Sequence, residues 1–200
     1  MSVLHAFTQT KLGVAGVRDL CVEDLAEIVR FWHESEDDFL DYLGIDRLRL
    51  GSKDDTFERF RRAIPAGDPS QQALAFAITL NSEFAGYTVL NRYTPEVNYS
   101  HWHITNPHLR GARLSTALYP HRIKTYFDRM PIRRLIHQTR TRNIAVNRML
   151  DKFVPISETR YIQDPDGVAL PGEFHLRYVL REDVAQFFEK LKMMESPHSR

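Results

Sequence analysis

Residues 97–118 read Val-Asn-Tyr-Ser-His-Trp-His-Ile-Thr-Asn-Pro-His-Leu-Arg-Gly-Ala-Arg-Leu-Ser-Thr-Ala-Leu, and the fold turns on them. An extended run is followed by a Pro-marked turn, a short Arg/Gly/Ser loop and a helix start. Such a strand-loop-helix unit aims several backbone N–H groups at one point, which suits an anionic ligand. Period-2 alternation places Tyr99, His101, His103 and Thr105 on one strand face, and Asn98, Ser100, Trp102 and Ile104 on the other.

Downstream, Leu114, Leu118, Ile123 and Phe127 mark a helix that Pro120 should kink, because proline removes one backbone donor. A strand over 132–139 and a short helix over 143–153 come next. Strands over 157–163 and 173–181 precede a charged amphipathic helix over 182–194. Upstream, a strand over 13–19 leads to a helix over 22–33. There Leu25, Ile28, Val29 and Trp32 recur at helical spacing, and Glu23 and Asp24 sit where the dipole favours acids. Helices over 35–43 and 52–64 follow, the first ended by Gly44 and the second opened by a Ser52–Asp55 capping box. Strands over 73–80 and 84–93 form a hairpin about Asn81-Ser82. The order is strand, helices, three antiparallel strands, helix, strand, helix, two strands, which is an α+β layout.

The 200 residues fit a single domain, 1–200, in which 182–200 is an added C-terminal helix and tail. Twenty-seven Lys and Arg against 26 Asp and Glu leave a net charge of +1, which argues against wholesale binding to nucleic acid or a membrane surface. The charge is uneven. Residues 19–62 carry 7 basic and 13 acidic side chains (net −6), and residues 108–152 carry 11 basic and 2 acidic (net +9). The basic segment needs either the acidic part of the chain or an anionic ligand. With Cys21 as the single cysteine, no intrachain disulfide can form. Residues 1–11 lack the apolar stretch of a signal peptide, and no window approaches a membrane span, so a cytoplasmic location is expected.

Two segments resemble the GCN5-related N-acetyltransferase (GNAT) superfamily. Asn106-Pro107-His108-Leu109-Arg110-Gly111 is similar to the lead-in of the family's Gln/Arg-x-x-Gly-x-Gly/Ala motif. Arg110 stands at the Gln/Arg position, and Arg113 and Ser115 replace the two later glycines. Asn143-x-x-Val146-x-x-Met149-Leu150-Asp151-Lys152-Phe153 resembles the family's Asn-led helix. The resemblance implies a central mixed, mostly antiparallel sheet flanked by helices and splayed at its fourth and fifth strands. It implies acetyl-CoA, or another acyl-CoA, as cosubstrate, held by Ile104, Thr105, Arg110, Gly111, Ala112, Arg113, Leu114, Ser115, Thr116 and Asn143.

Acyl transfer to a primary amine by direct attack needs a base for the amine, a donor to the developing oxyanion and a proton for the leaving thiolate. His101 and His103 are candidate bases, their imidazoles being suited to taking a proton near neutral pH. Their spacing resembles the His-x-His of arylalkylamine N-acetyltransferases displaced by two positions, so that only His101 coincides. The backbone N–H near Ile104 or Thr105 is the implied oxyanion donor. The tyrosine acid of many members falls at Leu150, and Tyr161 and Tyr126 are substitutes that match no family position.

The resemblance implies an amine on a small molecule or peptide as substrate, with Glu36-Asp37-Asp38 able to attract a cation; a homodimer is left open. No metal is expected, although His101, His103 and His175 could supply ligands. The competing readings are a GNAT-fold binding or interaction domain without turnover, and a nucleic-acid module using Tyr119, Tyr126 and Phe127 for stacking.

Overall fold

A computed structural model describes residues 3–195, apart from 69, 93, 95 and 166. The chain opens with two antiparallel strands, β1 (Leu4–Thr10) and β2 (Gly13–Asp19), of which only the second was expected. β1 is a sheet edge of mixed polarity with Leu4 and Phe7 exposed, so no apolar run marks it in the sequence.

Four helices follow: α1 (Leu25–Glu34), α2 (Asp37–Leu43), the unexpected single turn α3 (Arg47–Leu50), and α4 (Lys53–Ala63). Gly44 ends α2 at φ 76°, and the Ser52–Asp55 capping box opens α4. β3 (Ala73–Leu80) and β4 (Glu83–Arg92) then pair as a hairpin. Asn81 and Ser82 both have positive φ, the geometry a two-residue hairpin turn requires. Tyr93, the expected end of the second strand, lies outside the described residues, as does the tail after Glu195.

β5 (Asn98–Ile104) leads through the basic loop to α5 (Leu114–Ala117) and α6 (Tyr119–Arg129). The expected helix is broken at Leu118, two residues before the Pro120 that interrupts its hydrogen bonding. β6 (Arg134–Arg140), α7 (Ile144–Leu150), β7 (Glu158–Ile162), β8 (Gly172–Leu180) and α8 (Asp183–Glu195) complete the chain.

All eight strands form one sheet in the order β1-β2-β3-β4-β5-β6-β8-β7. Every adjacent pair is antiparallel except β5 and β6, which run parallel and meet in register only at Tyr99 and Ile136. The sheet therefore opens between β5 and β6, which are the expected fourth and fifth strands renumbered by the added β1.

β3 is buried on both faces, which explains its unbroken apolar composition. Leu74, Phe76 and Ile78 pack under α5, α6 and α8 with Leu118, Ile123, Phe127 and Phe187. Ala75 and Ala77 face the other way, toward Leu25, Ile28 and Phe60 of α1 and α4. α8 is part of the core: Phe187 is 2% exposed and its ring meets Tyr119 at 5.3 Å.

Candidate active site

The alternation along β5 divides the site between the two faces of the sheet. His101 and His103 project toward α1 and α4, into a cavity of about 280 Å³. Trp32, Leu50, Phe60 and Val89 form apolar wall, and Arg59, Asn91, Gln138 and Arg140 add polar groups. The 167–169 segment before β8 borders it too, held to the α2–α3 connection by the Ile45–Ala169 bridge and by Asp46 N donating to the Val168 carbonyl over 2.7 Å.

The two histidine rings lie 5.9 Å apart but in different surroundings. His103 is packed among Trp32 (4.8 Å), Phe31 (5.3 Å) and Tyr87 (5.4 Å), and this burial holds its pKa well below that of free imidazole. His101, by contrast, is exposed and presents its ring to the cavity. Desolvation in the cavity wall, with the Arg59 charge nearby, lowers its pKa from the ordinary imidazole value. Neither ring has a hydrogen-bond partner among the described residues. At neutral pH His101 is thus an uncharged imidazole with a free lone pair facing open space.

The opposite face of β5 builds the seam with β6. The Asn98 side-chain amide donates to the Arg134 carbonyl over 2.8 Å, and His137 Nδ1 meets the Ser100 carbonyl at 3.3 Å. Side chains here span what a backbone ladder spans elsewhere in the sheet. Because a carbonyl can only accept, His137 carries its proton on Nδ1, and Nε2 accepts from the Tyr119 hydroxyl at 3.0 Å. His137 is fully buried, and burial with the Arg122 charge drives its pKa down to about 3. Arg122 is itself fully buried with no carboxylate partner among the described residues. Its guanidinium stacks 4.2 Å over Trp102 and donates to Thr88 Oγ1 over 3.2 Å.

The two candidate oxyanion donors point in different directions. Thr105 N donates to the Ala85 carbonyl over 3.1 Å, so that amide faces β4 and is occupied. Antiparallel pairing alternates the direction of successive amides, so the Ile104 N–H faces the opening toward β6. Gly86 lets β5 lie this close: a Cβ there would stand 2.2 Å from the His103 carbonyl oxygen.

Beyond β5 the loop takes left-handed backbone at Gly111 (φ 81°) and again at Arg113 (φ 62°). The amides of Gly111, Arg113, Leu114, Ser115 and Thr116 have no backbone acceptor among the described residues, whereas Ala112 N is taken by the Leu109 carbonyl at 3.2 Å. Arg113 thus keeps glycine-like geometry with its side chain exposed. Ser115 Oγ accepts a hydrogen bond from Trp102 Nε1 at 3.1 Å, which leaves its own proton free to donate. Arg110 stands apart from these amides. Its guanidinium turns to the His101 face of β5, 4.2 Å over Phe39, with Nε directed at the Ile104 carbonyl.

Asn143 borders the cavity and caps α7, accepting from Val146 N over 3.3 Å. Leu150 is fully buried. Neither substitute tyrosine lines the cavity: Tyr126 is buried against Thr88 at 2.8 Å, and Tyr161 is 65% exposed on β7. Tyr119 and Phe127 are buried as well, so none of the three aromatics considered for base stacking is available. The Glu36-Asp37-Asp38 run is exposed and does not line the cavity; Asp37 pairs with Arg47 at 2.7 Å. His175 bonds Thr159 at 2.8 Å, and no group of three His, Cys, Asp or Glu among the described residues could hold a metal. His137, Arg59 and Arg122 were missed as site-shaping residues, because a single His or Arg in an apolar strand or amphipathic helix carries no spacing signal.

One mixed sheet, opened at a lone parallel seam with a loop of unpaired amides at the end of β5, defines the GNAT acetyltransferase fold, and this chain has it. No protein-family model matches the sequence, and no curated protein matches it. Solved structures do. RimJ of Mycobacterium smegmatis, in complex with CoA-disulfide, superposes with a TM-score of 0.71 at 17% identity, covering 96% of this chain and 95% of its own. RimL, a ribosomal L7/L12 alpha-N-protein acetyltransferase in complex with coenzyme A, gives 0.68 at 14% identity over 89% and 98%. The aminoglycoside acetyltransferase AAC(6')-Ib with coenzyme A gives 0.64 at 16% identity over 86% and 98%. At these identities the likeness establishes the fold.

Proposed function

We propose that this protein is an acyl-CoA-dependent N-acyltransferase that moves an acetyl or related acyl group to a primary amine by direct attack. One juxtaposition carries the reading: unpaired amides at 111–116 lie at the end of the strand whose other residues put a neutral, unbonded imidazole into a cavity. The resemblance to structures holding coenzyme A supports it.

Acyl-CoA supplies the activated acyl group; everything else is the work of this chain. The amides of Gly111 and of 113–116, with the Ser115 hydroxyl and the Arg113 cation, would hold the diphosphate. Asn143 would contact the pantetheine arm along the opening between β5 and β6. The Ile104 amide would donate to the thioester carbonyl as charge develops there. His101 would take the proton from the attacking amine, since it is uncharged at neutral pH and open to the cavity. His103, wrapped in aromatic rings, would position His101 and shape the wall. With Leu150 buried at the position of the family's tyrosine acid, no side chain of this chain is assigned to protonate the leaving thiolate.

Calorimetric titration with acetyl-CoA and longer acyl-CoAs, followed by turnover across an amine panel, tests the proposal. Binding with turnover supports it, and no binding to any of them overturns it. Binding without turnover favours a ligand-binding domain, the reading to which the buried Leu150 lends weight. No helix among the described residues is long and apolar enough to cross a membrane.

A further inference from the structure

The cavity under His101 has a one-sided charge. Arg59 and Arg140 line it, and among the described residues no Asp or Glu does. Arg59 comes from α4, which packs on β3, and Arg140 comes from β6, on the other side of β5. Neither has a carboxylate within ion-pairing distance among the described residues. Nearby acids are already engaged: Asp55 closes the capping box with Ser52, and Asp41 meets Arg142 at 3.4 Å.

Both guanidinium groups keep unused donors. Arg59 Nη2 donates to the Leu50 carbonyl (3.3 Å) and to Thr56 Oγ1 (3.1 Å), with no acceptor for Nε or Nη1 among the described residues. Arg140 donates from Nη1 alone, to the Leu170 and Pro171 carbonyls at 2.9 and 3.1 Å. The backbone makes room for it: a Cβ at Gly44 would stand 2.1 Å from Arg140 Cδ, and one at Gly172 2.6 Å from Nη2. A guanidinium held without a counter-ion in a partly dehydrated site favours an anion from the ligand. The Arg59 charge also acts on His101, which places it close to where the amine must lie.

Resting on the acyltransferase reading, we infer that the acceptor is a small amine that also bears a carboxylate, bound through that carboxylate to Arg59 and through an apolar body to Trp32, Leu50 and Phe60. Polyamines and aminoglycosides, which are polycations, are disfavoured by the same charges.

Acetylation rates with acetyl-CoA decide it, measured as kcat/KM for L-phenylalanine and L-leucine, for their decarboxylated counterparts phenethylamine and isoamylamine, and for spermidine. Where no product forms, binding of each amine to the CoA-loaded protein is measured by calorimetry. The carboxylate-bearing member of each pair should be preferred about tenfold or more, because without it the Arg59 cation in the cavity keeps no anionic partner. Arg59→Gln should leave acetyl-CoA binding unchanged and abolish that preference, raising KM for the carboxylate-bearing member of each pair far more than for its decarboxylated counterpart. Arg59→Lys, which keeps the charge, should retain most of it and guards against a folding effect. Equal or better use of the decarboxylated amines or spermidine overturns the inference while leaving the acyltransferase reading intact. Failure of every amine to react or bind also overturns it. Loss of acetyl-CoA binding by the wild-type protein overturns the acyltransferase reading instead.

Discussion

Trp102 Nε1 donates to Ser115 Oγ over 3.1 Å, tying the strand that carries His101 to the loop of unpaired amides. The same indole stacks on the buried Arg122 guanidinium at 4.2 Å, so its plane is fixed from below. Trp102→Phe keeps the ring and removes the donor. The acyl-CoA Kd should rise about 2- to 10-fold, the effect of one net hydrogen bond of about 1 kcal/mol, while the Tm changes little. An unchanged Kd by calorimetry would show that Ser115 does not touch the ligand.

His101→Ala should lower kcat about 100-fold or more near pH 7 without changing the acyl-CoA Kd, since the ring faces the cavity and makes no hydrogen bond to the fold among the described residues. Undiminished turnover would remove His101 from the mechanism.

Arg113 occupies left-handed backbone that favours glycine. Arg113→Gly should therefore fold with a Tm at or near that of the wild type, while losing a cation beside the amides. Its acyl-CoA Kd should rise several-fold, about what a partly exposed charge-assisted contact contributes, and the rise should shrink at high salt. A salt-independent Kd in both proteins would place the phosphates elsewhere.

His137 is buried, His103 is packed among aromatic rings and His101 lines the cavity, and all three have pKa values lowered by folding. The unfolded imidazoles therefore take up protons first. Their stabilising contribution is complete above about pH 6.5 and is lost as pH falls through that value toward the folded values. For fully buried His137 the loss reaches about 2 kcal/mol by pH 5, from 1.36 kcal/mol per pH unit. Denaturant midpoints measured from pH 8 to 5 should fall below pH 6.5; a flat profile would contradict the neutral, buried state.

Gly86→Ala places a methyl group 2.2 Å from the His103 carbonyl oxygen and 2.9 Å from Ile104 Cα, both on the backbone of β5. Neither can yield without moving the strand, so a loss of about 1–3 kcal/mol is expected together with reduced turnover. Wild-type stability, read by thermal unfolding, would mean that β5 is free to shift.

Local patterns in the sequence carried most of the secondary structure. Helical spacing marked α1, the Ser52–Asp55 box opened α4, Asn81-Ser82 turned the hairpin, and Pro120 broke the helix after the basic loop. Period-2 alternation also determined which face of β5 carries His101 and His103. Each of these signals lies within a few residues, where backbone sterics and side-chain capping act. β1 and α3 were not legible, one because it is an edge strand of mixed polarity and the other because it is a single turn.

What only the tertiary structure decided were the roles that depend on neighbours distant in sequence. Arg110 stood at the motif's Gln/Arg position and Arg113 in place of a glycine, but only the fold shows the first arginine stacked over Phe39 and the second in left-handed backbone. Thr105 and Ile104 were equal candidates until pairing with Ala85 occupied one amide. His101 was set apart from His103 only by its match to a family position until Trp32, Phe31 and Tyr87 closed around the second. The acidic 36–38 run pointed to a cationic substrate, yet it lies outside the cavity, and Arg59 and Arg140 line it instead. Charge in a site is set by which side chains the fold brings to it, and a sum along the chain carries no such information.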